Sequence, residues 1–520
     1  MGITARYSKS SSTLRFQSCK WGWSAAIAFA TLIGRYPAVQ AADFNFTYAP
    51  GASFEQILSF EIAGLFWSDY LADDATINLF VETTDMLPEN VIGGALPGIQ
   101  ANQKYRKFRK SVRADRTSAD DKRAFKHLQD DEEYFIAYID GFKVDNNSRL
   151  NMTNANAKAL GMLDGSEEGL DGYILMSNLT DMNTSWSYDL LGNNVSEGSL
   201  DFLSVAIHEI GHTLGFVSGV DAPGWLSQKT QYDADSIDDY FSSLIGNVNN
   251  ATPLDMFRIS DHSLEEGGSD EPWIDLSIGS DPFFSIDRGQ SVLADFATGE
   301  NTSFGGDGNQ ASHWEQQADS LGIMDPILNP GERREITALD KTAMDVIGWD
   351  LQTGGSDLAT LHGVAMDRLA QEIGVTAGWI EANPHQAALL FTPDWLDADN
   401  NNLDDRGELL NDMVISSEVY EWGWSGYWWG WSGYWWGWSG YWQEHGDLDD
   451  LDDLDDLGFW QNFSWQTLDT PTVDAPINQS QTTAASVPEP NSILGLLGLG
   501  WLGLGSLYRR QGDRRPRAWG

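Results

Sequence analysis

Several stretches of the chain place apolar residues at the three- and four-residue spacing that favours amphipathic helices. The first, SFEQILSFEIAGLFWSDYL, opens with Ser53 and Gln56, whose spacing predicts a capping box. MTNANAKALG predicts a short helix that is capped by Thr153 and ends at Gly161. LDFLSVAIHEIGHTL predicts a longer helix capped by Ser199.

Short runs rich in β-branched and aromatic residues lie between these helices. TINLFVE, YFIAYI and DGYILMSNL are therefore predicted to form strands. ITALDKTAMDVIGWDL predicts a helix that closes this part of the chain, and SDLATLHGVAMDRLAQEIG predicts a further helix capped by Ser356. We expect an α+β domain over residues 42–350, followed by a small, mostly helical segment over residues 351–418.

The first 41 residues have the layout of a secretory signal peptide, with scattered basic residues, an apolar run and small residues before a cleavage point after Ala41. The chain's one cysteine, Cys19, lies within this segment, so the mature protein has no thiol for disulfides or metal binding. The formal net charge of −46 repels phosphate backbones and argues against a nucleic-acid partner.

The segment WLDADNNNLDDRGELL resembles an EF-hand calcium loop. Asp397, Asp399, Asn401 and Glu408 occupy positions 1, 3, 5 and 12, whereas Asn402 replaces the usual glycine at position 6. A calcium site is one interpretation, and an acidic surface loop is the alternative.

Residues 419–486 have low sequence complexity. WGWSGYW occurs three times in succession and is followed by DLDDLDDLDDL. The glycines disfavour a helix, so this segment is expected to be a disordered linker. Stacking of the tryptophans on an extracellular polysaccharide is the functional alternative.

The C-terminal region combines three features. VPEP at residues 487–490 precedes an uncharged apolar run at 492–508 that is long enough to span a bilayer, and a cluster of arginines follows. Residues 487–517 thus resemble the PEP-CTERM sorting signal of Gram-negative bacteria. The resemblance implies cleavage by an exosortase-type enzyme and delivery to the cell surface or matrix, whereas a plain membrane anchor is the alternative.

Candidate chemistry is concentrated in the stretch HEIGH. His208 and His212 are four residues apart on the predicted helix, so both rings project from one face and can bind one zinc ion. Glu209 points away from direct ligation but can take a proton from a zinc-activated water and pass it to the leaving amine. Two histidines without a metal are the alternative interpretation.

The third ligand is not evident from this stretch alone. Compact metzincins place a histidine where this chain has Ser218, and Asp221 is an oxygen donor slightly further on. The other histidines of the chain are His127, His262, His313, His362, His385 and His445.

The segment ASHWEQQADSLGIMDP supplies a more specific resemblance. Leishmanolysin-type metzincins carry HExxHxxGF, then a long insertion, then SHWE with a methionine 11 residues beyond its histidine. Gly215 and Phe216 complete the first motif here, and His313 and Met324 match the second. The resemblance implies a metzincin-like zincin domain, with a twisted mixed sheet and the HExxH helix, in which His313 is the third zinc ligand and Met324 packs beneath the metal without binding it.

The chain also departs from that family, because the insertion is long and the family's cysteines are missing. Pro326 occupies the position where some metzincins have an oxyanion-stabilising tyrosine. Trp314 and Glu315 are interpreted as supports, with Glu315 either orienting His313 or solvated. The expected function is a secreted zinc endopeptidase acting on a protein or peptide substrate. A non-catalytic polysaccharide-binding surface protein and a purely self-processing protease are the alternatives.

Overall fold

The computed structural model describes residues 41–392, except for 86, 88–89, 130–132, 181, 192–194, 222–250 and 269–272. Almost all of the predicted signal peptide, the EF-hand-like loop, the low-complexity linker and the apolar run at 492–508 lie outside the described residues. Among the described residues, no helix is long and apolar enough to cross a membrane.

Helices and strands alternate irregularly through this part of the chain, which makes it a mixed α+β structure. The helices are α1 (Phe54–Ser68), α2 (Tyr105–Asp115), α3 (Ala119–His127), α4 (Asn154–Ala159), α5 (Phe202–Leu214), α6 (Asp261–Gly267), α7 (Ala338–Ile347), α8 (Leu358–Glu372), α9 (Ala377–Ala382) and α10 (Pro384–Phe391). The strands are β1 (Asp43–Tyr48), β2 (Thr76–Thr84), β3 (Gly93–Pro97), β4 (Ile99–Lys104), β5 (Phe135–Ile139), β6 (Phe142–Asn147), β7 (Arg149–Thr153), β8 (Gly172–Ser177), β9 (Ser185–Ser187), β10 (Ser199–Asp201), β11 (Arg258–Ile259), β12 (Ile274–Asp275), β13 (Phe283–Phe284) and β14 (Ala294–Asp295).

The largest sheet has four strands in the order β1-β2-β8-β3. Strands β1, β2 and β8 are mutually parallel, and β3 is antiparallel to β8 at the edge. Every residue of β8 is buried, as expected for an apolar strand covered on both faces. The strands predicted from TINLFVE, YFIAYI and DGYILMSNL are confirmed as β2, β5 and β8.

Helices α1 and α5 pack together beside this sheet and form the centre of the core. The indole Nε1 of Trp67 in α1 donates to the carbonyl oxygen of Ile207 in α5 at 2.9 Å. Phe60 and Phe202 meet edge to face, with ring centroids 5.8 Å apart. Helix α5 is therefore held along its length by a buried neighbour.

Two predicted caps are confirmed and two are wrong. Ser53 forms the expected capping box and Thr153 caps α4. Ser199 does not cap α5, because it lies in β10 paired with β9, and the carboxylate of Asp201 caps the helix instead. The predicted cap of α8 is also wrong.

Asp357, and not Ser356, caps α8 by accepting a hydrogen bond from the backbone nitrogen of Thr360 at 2.7 Å. Ser356 is engaged elsewhere, because its backbone nitrogen and its hydroxyl both donate to the carboxylate of Asp69 just beyond α1. This contact anchors the start of the C-terminal helices.

The region between α5 and α7 forms smaller sheets. Strand β12 joins β5 and β6, while β11, β13 and β14 form a three-stranded antiparallel sheet. Buried residues of α8, α9 and α10 belong to the same apolar cluster as those of α1. The division of the chain at residue 350 stays a prediction.

Candidate metal centre

Helix α5 carries the two histidines of HEIGH. The Asp201 side chain accepts a hydrogen bond from Ser204 N at the first turn, and Gly215 ends the helix with a φ of +123° that favours glycine. The Nε2 atoms of His208 and His212 are 3.0 Å apart. The four-residue spacing therefore brings the two rings to one point.

His313 reaches the same point from a loop that follows the β13–β14 hairpin. Its Nε2 lies 3.2 Å from His208 Nε2, and its ring centroid lies 4.9 Å from that of His212. Ligand atoms of all three residues lie within 4.8 Å of one another. The structure thus brings together the three histidines that the sequence resemblance singled out.

Each of the three rings is fixed by a hydrogen bond from its other nitrogen. The Nδ1 partners are backbone carbonyl oxygens: Ile323 for His208 at 2.7 Å, Phe216 for His212 at 2.7 Å and Gln310 for His313 at 3.1 Å. A carbonyl oxygen can only accept, so each Nδ1 carries the hydrogen and each Nε2 presents a lone pair.

The three Nε2 lone pairs therefore face one another, an arrangement that a cation at their centre would stabilise. Burial lowers the pKa of His208 to about 4 and that of His313 to about 3, and it also lowers the pKa of His212 well below its usual value. The rings are thus neutral at pH 7 and available as ligands. Tetrahedral zinc with Zn–N distances of about 2.0–2.1 Å spaces its nitrogens by roughly 3.3 Å, close to the observed 3.0 and 3.2 Å.

Glu209 lies beside this cluster with 5% of its surface exposed. Burial raises the pKa of its carboxyl group to about 8. A Cβ atom at Gly93 would lie 2.6 Å from Glu209 Oε1, so the missing side chain in edge strand β3 leaves room for this carboxylate. Sequence reasoning did not identify Gly93, because its partner is more than a hundred residues away.

Met324 is fully buried. A Cβ atom at Gly211 would lie 2.5 Å from Met324 Sδ, which places the thioether directly against the backbone of α5. The Met324 carbonyl oxygen accepts a hydrogen bond from Trp314 N at 3.1 Å. Met324 therefore links the helix to the His313 segment by packing and by its backbone.

Asp340 in α7 binds the residues that follow His313 and precede Met324 in the chain, Trp314 and Ile323. Asp340 was not identified from the sequence. Its carboxylate accepts hydrogen bonds from Trp314 Nε1 at 2.8 Å and from Ile323 N at 3.0 Å. It also accepts from Thr337 N at 2.7 Å as part of a capping box. The Thr337–Asp340 spacing signals the cap, but nothing in the sequence signals the two distant donors.

The other predicted contributors have different roles. Ser218 Oγ donates to Asp255 Oδ1 at 2.6 Å, and the Asp221 carboxylate is bound by backbone amides. His313 is oriented by the Gln310 carbonyl group, and Glu315 has its own backbone contact to Asp295. Within the described residues, the histidines that stand apart from the cluster are His127, His262, His362 and His385.

A second group of possible ligands contains only carboxylates. Oxygens of Asp73, Asp115 and Asp350 lie within 4.8 Å of one another. Thr117 Oγ1 donates to Asp350 at 2.6 Å, and Asp350 N donates to Asp73 at 2.9 Å. Burial, reinforced by repulsion among these acids, raises the pKa of Asp73 to about 7 and that of Asp115 to about 8.

The sequence comparisons identify the C-terminal segment. Residues 486–515 match the PEP-CTERM protein-sorting motif. This motif indicates extracellular or cell-surface export in Gram-negative bacteria, and it implies recognition by an exosortase-type processing enzyme. No curated protein and no solved structure matches the chain.

Proposed function

We propose that the protein is a secreted, zinc-dependent endopeptidase of the leishmanolysin-like metzincin type. The observation that carries this proposal is the convergence of three neutral imidazole nitrogens, each fixed by a backbone carbonyl group through Nδ1. Three histidine ligands with an open fourth position are typical of catalytic zinc sites and not of structural ones.

The proposed residue roles follow from their positions. His208 and His212 from one helix and His313 from a loop would hold the ion. A bound zinc ion would polarise the substrate carbonyl group and lower the pKa of water. In its ionised form, Glu209, next to His208 and buried against Gly93, would accept the proton from the attacking water and return it to the leaving amine.

Export places the substrate outside the cell. The PEP-CTERM motif directs the chain to the surface or beyond, where proteins or peptides of the matrix, or co-secreted chains, are available to a peptidase. Binding of polysaccharide by the tryptophan repeats and of calcium by Asp397, Asp399, Asn401 and Glu408 remain sequence predictions, because both segments lie outside the described residues.

Glu209→Gln tests the proposal against a non-catalytic role, because a binding protein needs no proton acceptor beside the metal. We expect this variant to keep one zinc per chain but to lose about 10²–10⁴-fold in chelator-sensitive casein hydrolysis. Glu61→Gln is the control, since Glu61 is a half-buried glutamate outside the histidine cluster that accepts a hydrogen bond from the Tyr48 hydroxyl at 3.1 Å. Hydrolysis that is equal in the two variants, or that survives metal removal, would exclude the proposed mechanism.

A further inference from the structure

A long insertion separates His313, the third histidine, from helix α5. The side chain of Asp221 connects the two ends of that insertion. Asp221 lies in a 3₁₀ turn, Gly219–Asp221, shortly after α5. Its Oδ1 accepts a hydrogen bond from Ala311 N at 2.7 Å, and its Oδ2 accepts one from Ser312 N at 2.8 Å. These two amides immediately precede His313.

A buried arginine also binds this segment. Arg258 is almost fully buried, and it donates to the carbonyl oxygens of Ala311 at 3.3 Å and Ala297 at 3.0 Å. Ala297 N in turn donates to the carbonyl oxygen of His313 at 3.0 Å. The backbone before His313 is thus bound through both its amide and its carbonyl groups.

The turn that carries Asp221 is itself anchored. Asp255 is buried and accepts hydrogen bonds from Ser218 Oγ at 2.6 Å and from Gly219 N at 2.8 Å. Since Gly215 and Phe216 lead directly from α5 into this turn, the position of Asp221 is set by the helix that carries His208 and His212.

We propose that Asp221 is a positioning residue that fixes the backbone before His313 to the end of α5 and thereby determines how tightly the three histidines hold a metal. This inference rests on the proposed zinc site. Simultaneous coordination requires all three nitrogens in place, and a ligand on an unfixed loop must lose conformational freedom when the metal binds. Supports of this kind change metal affinity by about 10–100-fold when they are removed.

Asp221→Asn tests the inference with little change in volume. Asparagine offers one acceptor oxygen, and its amide group would face one of the two backbone N–H donors. Asp287→Asn is the matched control, because Asp287 is a buried aspartate that holds the backbone amide of Ser291 at 2.8 Å in another part of the molecule.

Two measurements on the full chain separate positioning from general stabilisation. Competition with a chromophoric chelator gives the zinc Kd, and hydrogen exchange of the metal-free protein reports on the amides of Ala311 and Ser312. We expect Asp221→Asn to weaken zinc binding about 10–100-fold and to accelerate exchange at these amides, while Asp287→Asn changes neither. Urea unfolding of both variants accounts for any shared loss of stability.

The possible outcomes distinguish the two proposals. A zinc Kd within twofold of wild type in Asp221→Asn would overturn the positioning role while leaving the zinc site intact. Wild-type protein that binds no zinc would overturn the proposed function together with any effect of Asp221 on metal affinity, and the exchange measurement would then show whether the carboxylate still fixes the segment.

Discussion

The sulfur atom of Met324 packs directly against the backbone of Gly211, the glycine between the two histidines of HEIGH. A Cβ atom at Gly211 would lie 2.5 Å from Met324 Sδ and 3.3 Å from Trp67 Cζ2. The absence of a side chain at this position therefore allows the methionine to pack against the helix that carries the two histidines.

Gly211→Ala should destabilise the protein, because overpacking in a well-filled core costs about 1–3 kcal/mol. Gly363→Ala is the control, since a Cβ atom at Gly363 in α8 meets nothing within 4 Å and should stabilise the helix by about 0.4–1 kcal/mol. Urea unfolding measures both free energies. Equal effects in the two variants would show that contact with Met324 does not constrain position 211.

His313→Ala should remove most of the zinc from purified protein, because two histidines remain and the site loses a fixed ligand. His262→Ala should keep it, since His262 stacks on Tyr138 with ring centroids 6.2 Å apart and lies outside the cluster. Metal analysis after dialysis against a weak chelator gives the comparison. Loss of zinc from the His262 variant, with retention in the His313 variant, would make the ligand assignment wrong.

Asp340→Ala should lower the free energy of unfolding by about 3 kcal/mol or more, because several buried donors lose their shared acceptor at once. Trp314 Nε1 and Ile323 N are among those donors. Asp357→Ala, which removes an N-cap carboxylate on the surface, should cost only about 1 kcal/mol. Similar losses in the two variants would mean that Asp340 acts as a helix cap alone.

The contribution of Asp73 and Asp115 to the stability of the protein should fall as pH rises from about 4 to about 8. Asp73 and Asp115 have folded-state pKa values of about 7 and about 8, raised by burial and by neighbouring acids. The folded protein therefore keeps protons that the unfolded chain releases, and the stability that these protons provide is lost as pH passes the folded pKa values. Asp115→Asn should flatten the pH dependence of unfolding.

Asp319→Asn is the control for that measurement, because Asp319 is exposed on the surface. Its unfolding free energy should follow the wild-type pH profile. An Asp115→Asn variant with an unchanged slope between pH 5 and pH 8 would contradict the assignment of these raised pKa values.

Local sequence signals predicted much of the fold. Capping boxes and β-branched runs depend on neighbouring residues, so Ser53, Thr153 and the central strands were identified correctly. Ser199 was assigned wrongly because its extended conformation is imposed by pairing with Ser185, which is not visible from local spacing.

Local sequence signals likewise predicted only some residues of the candidate site. His208 and His212 follow from helical periodicity, whereas the residues alone left the third histidine open, and only the family resemblance singled out His313. Gly93 and Asp340 act through tertiary contacts. Such contacts have no signature in a single sequence.

The central claim is that three imidazole nitrogens bind one zinc ion. X-ray absorption at the zinc edge, on stoichiometrically loaded protein, tests it most directly. The account predicts three imidazole nitrogens at about 2.0–2.1 Å in wild type and two in His313→Ala. A purified wild-type chain that takes up no stoichiometric zinc, or a coordination shell unaltered by His313→Ala, would contradict it.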